Sequence, residues 1–256
     1  MISPRGGAER RAHKKMMLGH TITGVWLPPS ETRELDRNEV HVWRADLDVS
    51  PQCLGVLRRT LDEAELSRAA RCAFERDRRN FVAAHGMLRS ILGRHLAVEP
   101  GRIRFSYGPH GKPALANGAD SGDLRFNMSH SGTLALYAVT HGLEVGVDVE
   151  FIRDDLDCEQ IANRFFSPGE VAAIRAIPEG ERHEAFFKCW TRKEACIKAV
   201  GEGLSIPLDR FEVSAQLGRL ERRVHIGAGA GRGADWWVLD LLPGPGYAAA
   251  LAARGQ

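Results

Sequence analysis

Apolar residues recur along this chain with two different periods, and the switches between them mark out its elements. EVHVWRADLDV alternates from position 39, offering Val40, Val42, Ala45 and Leu47 to a core as a first strand. Leu61 to Ala73 reads as a helix that opens on the acidic pair Asp62-Glu63. In Asp77 to Leu96, the residues Phe81, Ala84, Leu88, Ile91 and Leu92 form a helical stripe, which leaves Arg78, Arg79, His85 and Arg89 for the solvent side. From Ile103 the texture changes to short strands and turns. IRFSYGPHGKPAL turns at Gly-Pro and Gly-Lys-Pro, and LRFNMSHSGTLALYAVT reads as strand, polar turn, strand.

GVDVE at 146–150 alternates again, with Val147 and Val149 on one face and Asp148 and Glu150 on the other. Leu156 to Phe165 follows. Ser167 then caps Pro168 to Ile177, with Glu170 completing a capping box. Arg182 to Val200 is a long helix closed by Gly201. SIPLDRFEVSA reads as turn and strand. Strands are expected at Arg219 to Ile226 and Trp236 to Leu242, joined by the glycine loop GAGAGRGAD, and again at Tyr247 to Ala253. The order contains no regular alternation of strand and helix, so the pattern predicts an α+β fold with antiparallel sheets rather than a Rossmann sheet or a TIM barrel.

The chemistry concentrates between Val145 and Leu204. Trp190, Glu194 and Lys198 are four apart and share one helix face, which Lys193 borders. If that face meets GVDVE, three carboxylates converge beside two lysines, a set of hard oxygens and basic groups suited to Mg²⁺ and a phosphate-bearing substrate. The alternative is a half-exposed edge strand and a helix with surface ion pairs. Ser129, His130 and Ser131 sit at a turn that either presents hydroxyls and an imidazole to an anion or simply closes a hairpin.

Composition narrows the classes. With 256 residues, 43% of them hydrophobic, the chain builds one large domain or two modest ones. A net charge of +2 does not mark a dedicated nucleic-acid binder, and no stretch is long and apolar enough to span a membrane. Five scattered cysteines without a CxxC pair, and a start lacking a secretory apolar segment, lead us to expect a cytoplasmic protein. The glycine loop has no helix after it, and GPHGKPAL lacks the Walker spacing.

Five motifs together resemble the 4′-phosphopantetheinyl transferase superfamily, in its larger Sfp-like (surfactin synthetase-activating) class. They are GKPAL at 111–115, FNMSHSG at 126–132, GVDVE at 146–150, RFFSPGE at 164–170 and WTRKEACIKAVGEGL at 190–204. The resemblance implies a pseudo-twofold fold of two similar α/β subdomains, here 40–142 and 143–256, preceded by a flexible or peripheral extension at 1–39. It implies a monomer that holds coenzyme A between the halves and passes the phosphopantetheine arm to an apo acyl or peptidyl carrier protein. Asp148, Glu150 and Glu194 correspond to ligands of Mg²⁺, with Mn²⁺ as a substitute. Glu194 or Glu150 becomes the candidate base, and Lys198 a contact to the pyrophosphate. Lys112, Ser129, His130, Lys193 and Arg71 are candidate contacts to coenzyme A. Asn80 stands where relatives often carry a basic residue, a gap for which Arg68, Arg71, Arg78, Arg79 and Arg89 are candidates. Two competing functions fit the residues: another Mg²⁺-dependent nucleotide or phosphate enzyme, and a scaffold that binds carrier proteins without modifying them.

Overall fold

The structure, a computed structural model, describes residues 12–17, 35–37, 39–116, 122–202, 206–215, 221–226 and 234–254. Two four-stranded antiparallel sheets lie at its centre. In the first, the order is β1 (Ala12–Met17), β2 (Glu39–Asp46), β6 (Leu134–His141), β5 (Leu124–Ser131). In the second it is β7 (Glu144–Phe151), β10 (Tyr247–Arg254), β9 (Ala234–Leu241), β8 (Glu221–Ile226). A short hairpin, β3 (Phe105–Tyr107) and β4 (Pro113–Leu115), stands apart. The helices are α1 (Pro51–Arg58), α2 (Glu63–Ala70) and α3 (Glu75–Leu96) in the first half, and α4 (Cys158–Phe165), α5 (Pro168–Arg175) and α6 (Glu179–Val200) in the second.

Strand alternation sorts the core into layers. One face of the first sheet gives Trp43, Ala45, Tyr137 and Val139 to Ala84, Met87, Leu88 and Ile91 of α3. Its other face gives Val40, Val42, Leu136 and Ala138 to Val145, Val147, Val149 and Leu251 of the second sheet. The far face of that sheet, with Ala248, Ala250 and Ala252, packs on Ala195, Cys196 and Ala199 of α6. The order is therefore helix, sheet, sheet, helix. Each fully buried valine of β7 contributes about 1.5–3 kcal/mol to the central seam. This is the expected α+β architecture.

The two halves repeat one plan. In each, one strand (β2 or β7) leads through two helices to a third of 22 residues, and later strands return so that β6 pairs with β2 and β10 with β7. Even the buried cations repeat. Arg89 of α3 holds Glu65, the capping-box acid of α2, at 2.7 Å and donates to the carbonyls of Pro100 and Ile103. Lys193 of α6 holds Glu170, the capping-box acid of α5, at 2.8 Å and donates to the carbonyls of Leu208 and Phe211. Each cation thus latches its long helix to the helix before it and to the turn after it.

Two expectations change here, and one gains detail. Arg89, assigned to the solvent side, is fully buried, because two carboxylates and two carbonyls receive its guanidinium. SIPLDRFEVSA forms a 3-10 turn at Leu208–Arg210 and no strand among its described residues. Its backbone groups bond to Lys193, Glu170 and Arg192 instead of to a neighbouring strand. Within the N-terminal extension, Ala12–Met17 forms an edge strand in register with β2, from Ala12 opposite Arg44 to Met17 opposite Glu39. The span 227–233, most of the expected glycine loop, lies outside the described residues.

Candidate active site

α6 lies against β7 more closely than side chains ordinarily permit. A Cβ at Gly146 would sit 2.2 Å from the carbonyl oxygen of Ala195 and 2.3 Å from the amide of Ala199, so only glycine allows the approach. This contact carries the C-terminal turns of α6 over the acidic face of β7. Asp148 is 2% exposed, and the Lys198 ammonium reaches its Oδ1 at 2.6 Å. Ser129 of β5 donates to the same oxygen at 2.8 Å and accepts from Lys198 at 2.9 Å. Glu150 receives a 2.8 Å hydrogen bond from Ser131.

The three carboxylates feel one another. Desolvation and the nearby charge of Asp148 push Glu150 above the usual carboxylate range. Desolvation raises Glu194 as well, together with the charges of Asp148 and Glu150, against the opposing influence of Lys198. This is the behaviour of acids held together without enough positive charge. Among the described residues, no group of three or more His, Cys, Asp or Glu side chains is arranged as a finished metal cage. Lys198 lies against Asp148 instead.

A cleft of about 310 Å³ opens beside this cluster, with Ser129, His130 and Lys198 on one side and Arg68 and His85 on the other. Leu88, Phe105 and Met128 give it an apolar back. Desolvation lowers the His130 imidazole below its usual range, and the charges of His85 and Lys198 lower it further. His85 stacks on Phe81 at 4.0 Å and meets Glu65 at 3.1 Å, while the Arg68 guanidinium lies over the same Phe81 ring. Arg68 and His85 were the cleft residues least visible in the sequence, since one was a single arginine among several and the other a polar helix position. Arg68 belongs to α2 and His85 to α3, so no single helical period joins them and the sequence carried no signal that both reach the cleft.

Other candidates lie elsewhere. Lys193 is corrected: its ammonium is fully buried on Glu170 and two carbonyls and does not face the cleft. Lys112 lines a neighbouring cavity with Glu144 and Gly201, and its ammonium donates to the carbonyls of Ala199 at 2.9 Å and Val145 at 3.3 Å. Burial, with help from Arg125, brings it down to about 8. Arg71 is an exposed residue at the C-terminal end of α2 and is not in the cleft wall. Asn80 donates to the Gly132 carbonyl at 2.9 Å, so it supports the turn after His130. Burial pushes Cys196 up to about 12 and Cys158 up to about 11, which leaves both as poor nucleophiles.

Comparison with known proteins bears on this arrangement. The family described as the 4′-phosphopantetheinyl transferase superfamily matches residues 144–252, and the family described as 4′-phosphopantetheinyl transferase, N-terminal, matches residues 48–142. The 4′-phosphopantetheinyl transferase HetI of Nostoc sp. is 41% identical over 239 residues, which span 93% of this chain and 96% of HetI. The chain belongs to the 4′-phosphopantetheinyl transferase superfamily. Two further members of that superfamily match over shorter spans. Sfp of Bacillus subtilis is 37% identical over half of this chain and 54% of its own length. AcpT of Salmonella typhimurium is 43% identical over 44% of this chain and 56% of its own length. As a phosphopantetheinyl transferase-type protein the chain is a transferase, and the 144–252 match contains β7 and α6 with their acidic seam. No helix among the described residues is long and apolar enough to cross a membrane.

Proposed function

We propose that the chain moves the 4′-phosphopantetheine arm of coenzyme A onto a serine hydroxyl of an apo acyl or peptidyl carrier protein. The products are the holo-carrier protein and adenosine 3′,5′-bisphosphate. One observation carries the reading: Asp148, Glu150, Glu194 and Lys198 share the α6–β7 seam beside a cleft that also presents Ser129 and His130.

The donor chemistry suits a hard divalent cation. Oδ2 of Asp148 is buried without a hydrogen-bond partner, and Lys198 only partly offsets the raised Glu150 and Glu194. Asp148, Glu150 and Glu194 are the residues that would hold it. When bound, Mg²⁺, or Mn²⁺ in its place, neutralises the carboxylates and polarises the pyrophosphate of coenzyme A.

The chain's own groups do the rest. The carrier serine Oγ forms a bond to the phosphorus that bears pantetheine, while the bond from that phosphorus to the bridging oxygen breaks. The bonding pair leaves on adenosine 3′,5′-bisphosphate. The serine proton passes to Glu194 or Glu150, directly or through a water, so that no free alkoxide has to form. Lys198 has three donors, so it can serve a phosphate oxygen while keeping a contact to Asp148 or Ser129. His130 and Arg68 face the cleft as contacts for the remaining phosphate charge of coenzyme A. We read the protein as a cytoplasmic monomer; its five free cysteines favour a reducing compartment.

The test is to incubate the purified chain with coenzyme A, Mg²⁺ and a panel of apo carrier proteins and to read each carrier by intact mass. A gain of one phosphopantetheine per carrier, abolished by chelation, supports the reading. A folded chain that modifies no carrier overturns it, and carrier binding without a mass change favours the scaffold alternative.

A further inference from the structure

β5 and β7 run side by side, yet they belong to different sheets: β5 pairs with β6, and β7 with β10. What joins them is a row of polar side chains at every second position of β5. Asn127 accepts from the Val147 amide at 2.9 Å, Ser129 donates to Asp148 at 2.8 Å, and Ser131 donates to Glu150 at 2.8 Å. Ser131 also accepts from the Phe151 amide at 3.1 Å, so its hydroxyl is fixed from two sides. The turn that follows is held from both halves of the molecule. Asn80 of α3 donates to the Gly132 carbonyl, and the Tyr247 hydroxyl of β10 accepts from the Thr133 amide at 3.2 Å. Gly132 stands at φ 58°, where a Cβ would meet the Tyr247 oxygen at 2.7 Å, so the turn closes only with glycine there.

We infer that Ser131 is a positioning residue for the divalent-cation site: it holds one oxygen of Glu150 and thereby aims the carboxylate at the position it shares with Asp148. The inference rests on the functional reading above. A glutamate has three side-chain torsions to fix, and Ser131 restrains the last of them by a bond whose donor is itself anchored to the strand carrying Glu150. Asp148, one torsion shorter, is held by Ser129 and additionally by Lys198, whereas Ser131 supplies the hydroxyl bond to Glu150.

The experiment measures Mn²⁺ uptake by the full chain in the presence of coenzyme A, read as loss of the free-ion signal in electron paramagnetic resonance. Ser131→Ala is expected to weaken Mn²⁺ binding roughly ten- to hundredfold, without a change in near-ultraviolet circular dichroism. Ser131→Thr, which keeps the hydroxyl, is expected to bind close to the wild type. In transfer assays, Ser131→Ala should need more Mg²⁺ for half-maximal rate and recover turnover at saturation. Wild-type binding by Ser131→Ala overturns the inference alone, as does Ser131→Thr binding as weakly as Ser131→Ala. Loss of the native dichroism in Ser131→Ala overturns it too, since the hydroxyl is then structural. A wild-type chain that takes up no Mn²⁺ sinks the carboxylate reading, and this inference with it.

Discussion

The Lys198 ammonium sits 2.6 Å from Oδ1 of Asp148, across the line where α6 meets β7. Asp148 is almost wholly buried while Lys198 keeps partial contact with solvent. The pair therefore has one fixed member and one that can turn toward an arriving phosphate. Replacing Asp148 by Asn keeps the shape and removes the charge. Transfer should fall by about a hundredfold or more, equivalent to roughly 2.7 kcal/mol of barrier. The melting temperature should barely move, because Lys198 retains Ser129 and solvent. Steady-state rates and a thermal melt on one preparation decide it. Unfolding in place of inactivity would contradict the assignment.

Lys193 and Lys198 are five residues apart and should answer mutation in opposite ways. Lys193→Met leaves Glu170 buried without its cation, which costs about 3–5 kcal/mol. It should lower stability while the surviving folded protein keeps its KM for coenzyme A. Lys198→Met should spare the fold and cost turnover. A raised KM in a fully stable Lys193→Met protein would return that lysine to the phosphates.

Glu194 offers a pH test whose sign is fixed by its environment. Desolvation and two neighbouring acids hold its carboxyl above the ordinary range, so the folded protein binds this proton more tightly than the unfolded chain. Stability of the metal-free protein is then lost as pH rises through the window between the ordinary and the raised value, and the deficit is fully present above it. Glu194→Gln should melt above the wild type at neutral pH, and the gap should close as pH falls below the window. Transfer activity should be lost all the same. A variant that is less stable at neutral pH would show that Glu194 is a structural anion.

Gly146→Ala tests the seam itself. The added methyl meets the backbone of α6 at Ala195 and Ala199, where no flexible side chain can yield. Overpacking of this kind costs about 1–3 kcal/mol. It should also displace Glu194 and Lys198 together from Asp148. Activity should therefore drop further than the same loss of stability produces at a site remote from α6.

Much of this was legible in the sequence because period and position agreed. GVDVE sends Val147 and Val149 into the seam between sheets and Asp148 toward α6, as alternation requires. The Ser167–Glu170 capping box starts α5 where the pattern puts it. Periodicity failed where a charged residue found buried partners distant in sequence. Arg89 looks like a solvated helix position and Lys193 like a phosphate contact, and only Glu65 and Glu170, 24 and 23 positions away in the chain, reveal them as interior. Lys112 illustrates the same limit: its turn was readable, but its attachment to Ala199, 87 residues on, was not. The pairing of β1 was hidden as well, since AHKKMM has little alternation and borrows its order from β2.

The doubled latch has a consequence for where chemistry can reside. Arg89 and Lys193 each secure a complete half, so a break in the polypeptide at Gly142 would leave two pieces that both own a helix, a sheet and an internal fastening. Neither piece would own the reaction centre, because Ser129 and Ser131 come from one and Asp148 and Glu150 from the other. Catalytic competence is thus a property of the junction, and reassociation of severed fragments would restore it only by rebuilding that row of hydroxyl-to-carboxylate bonds.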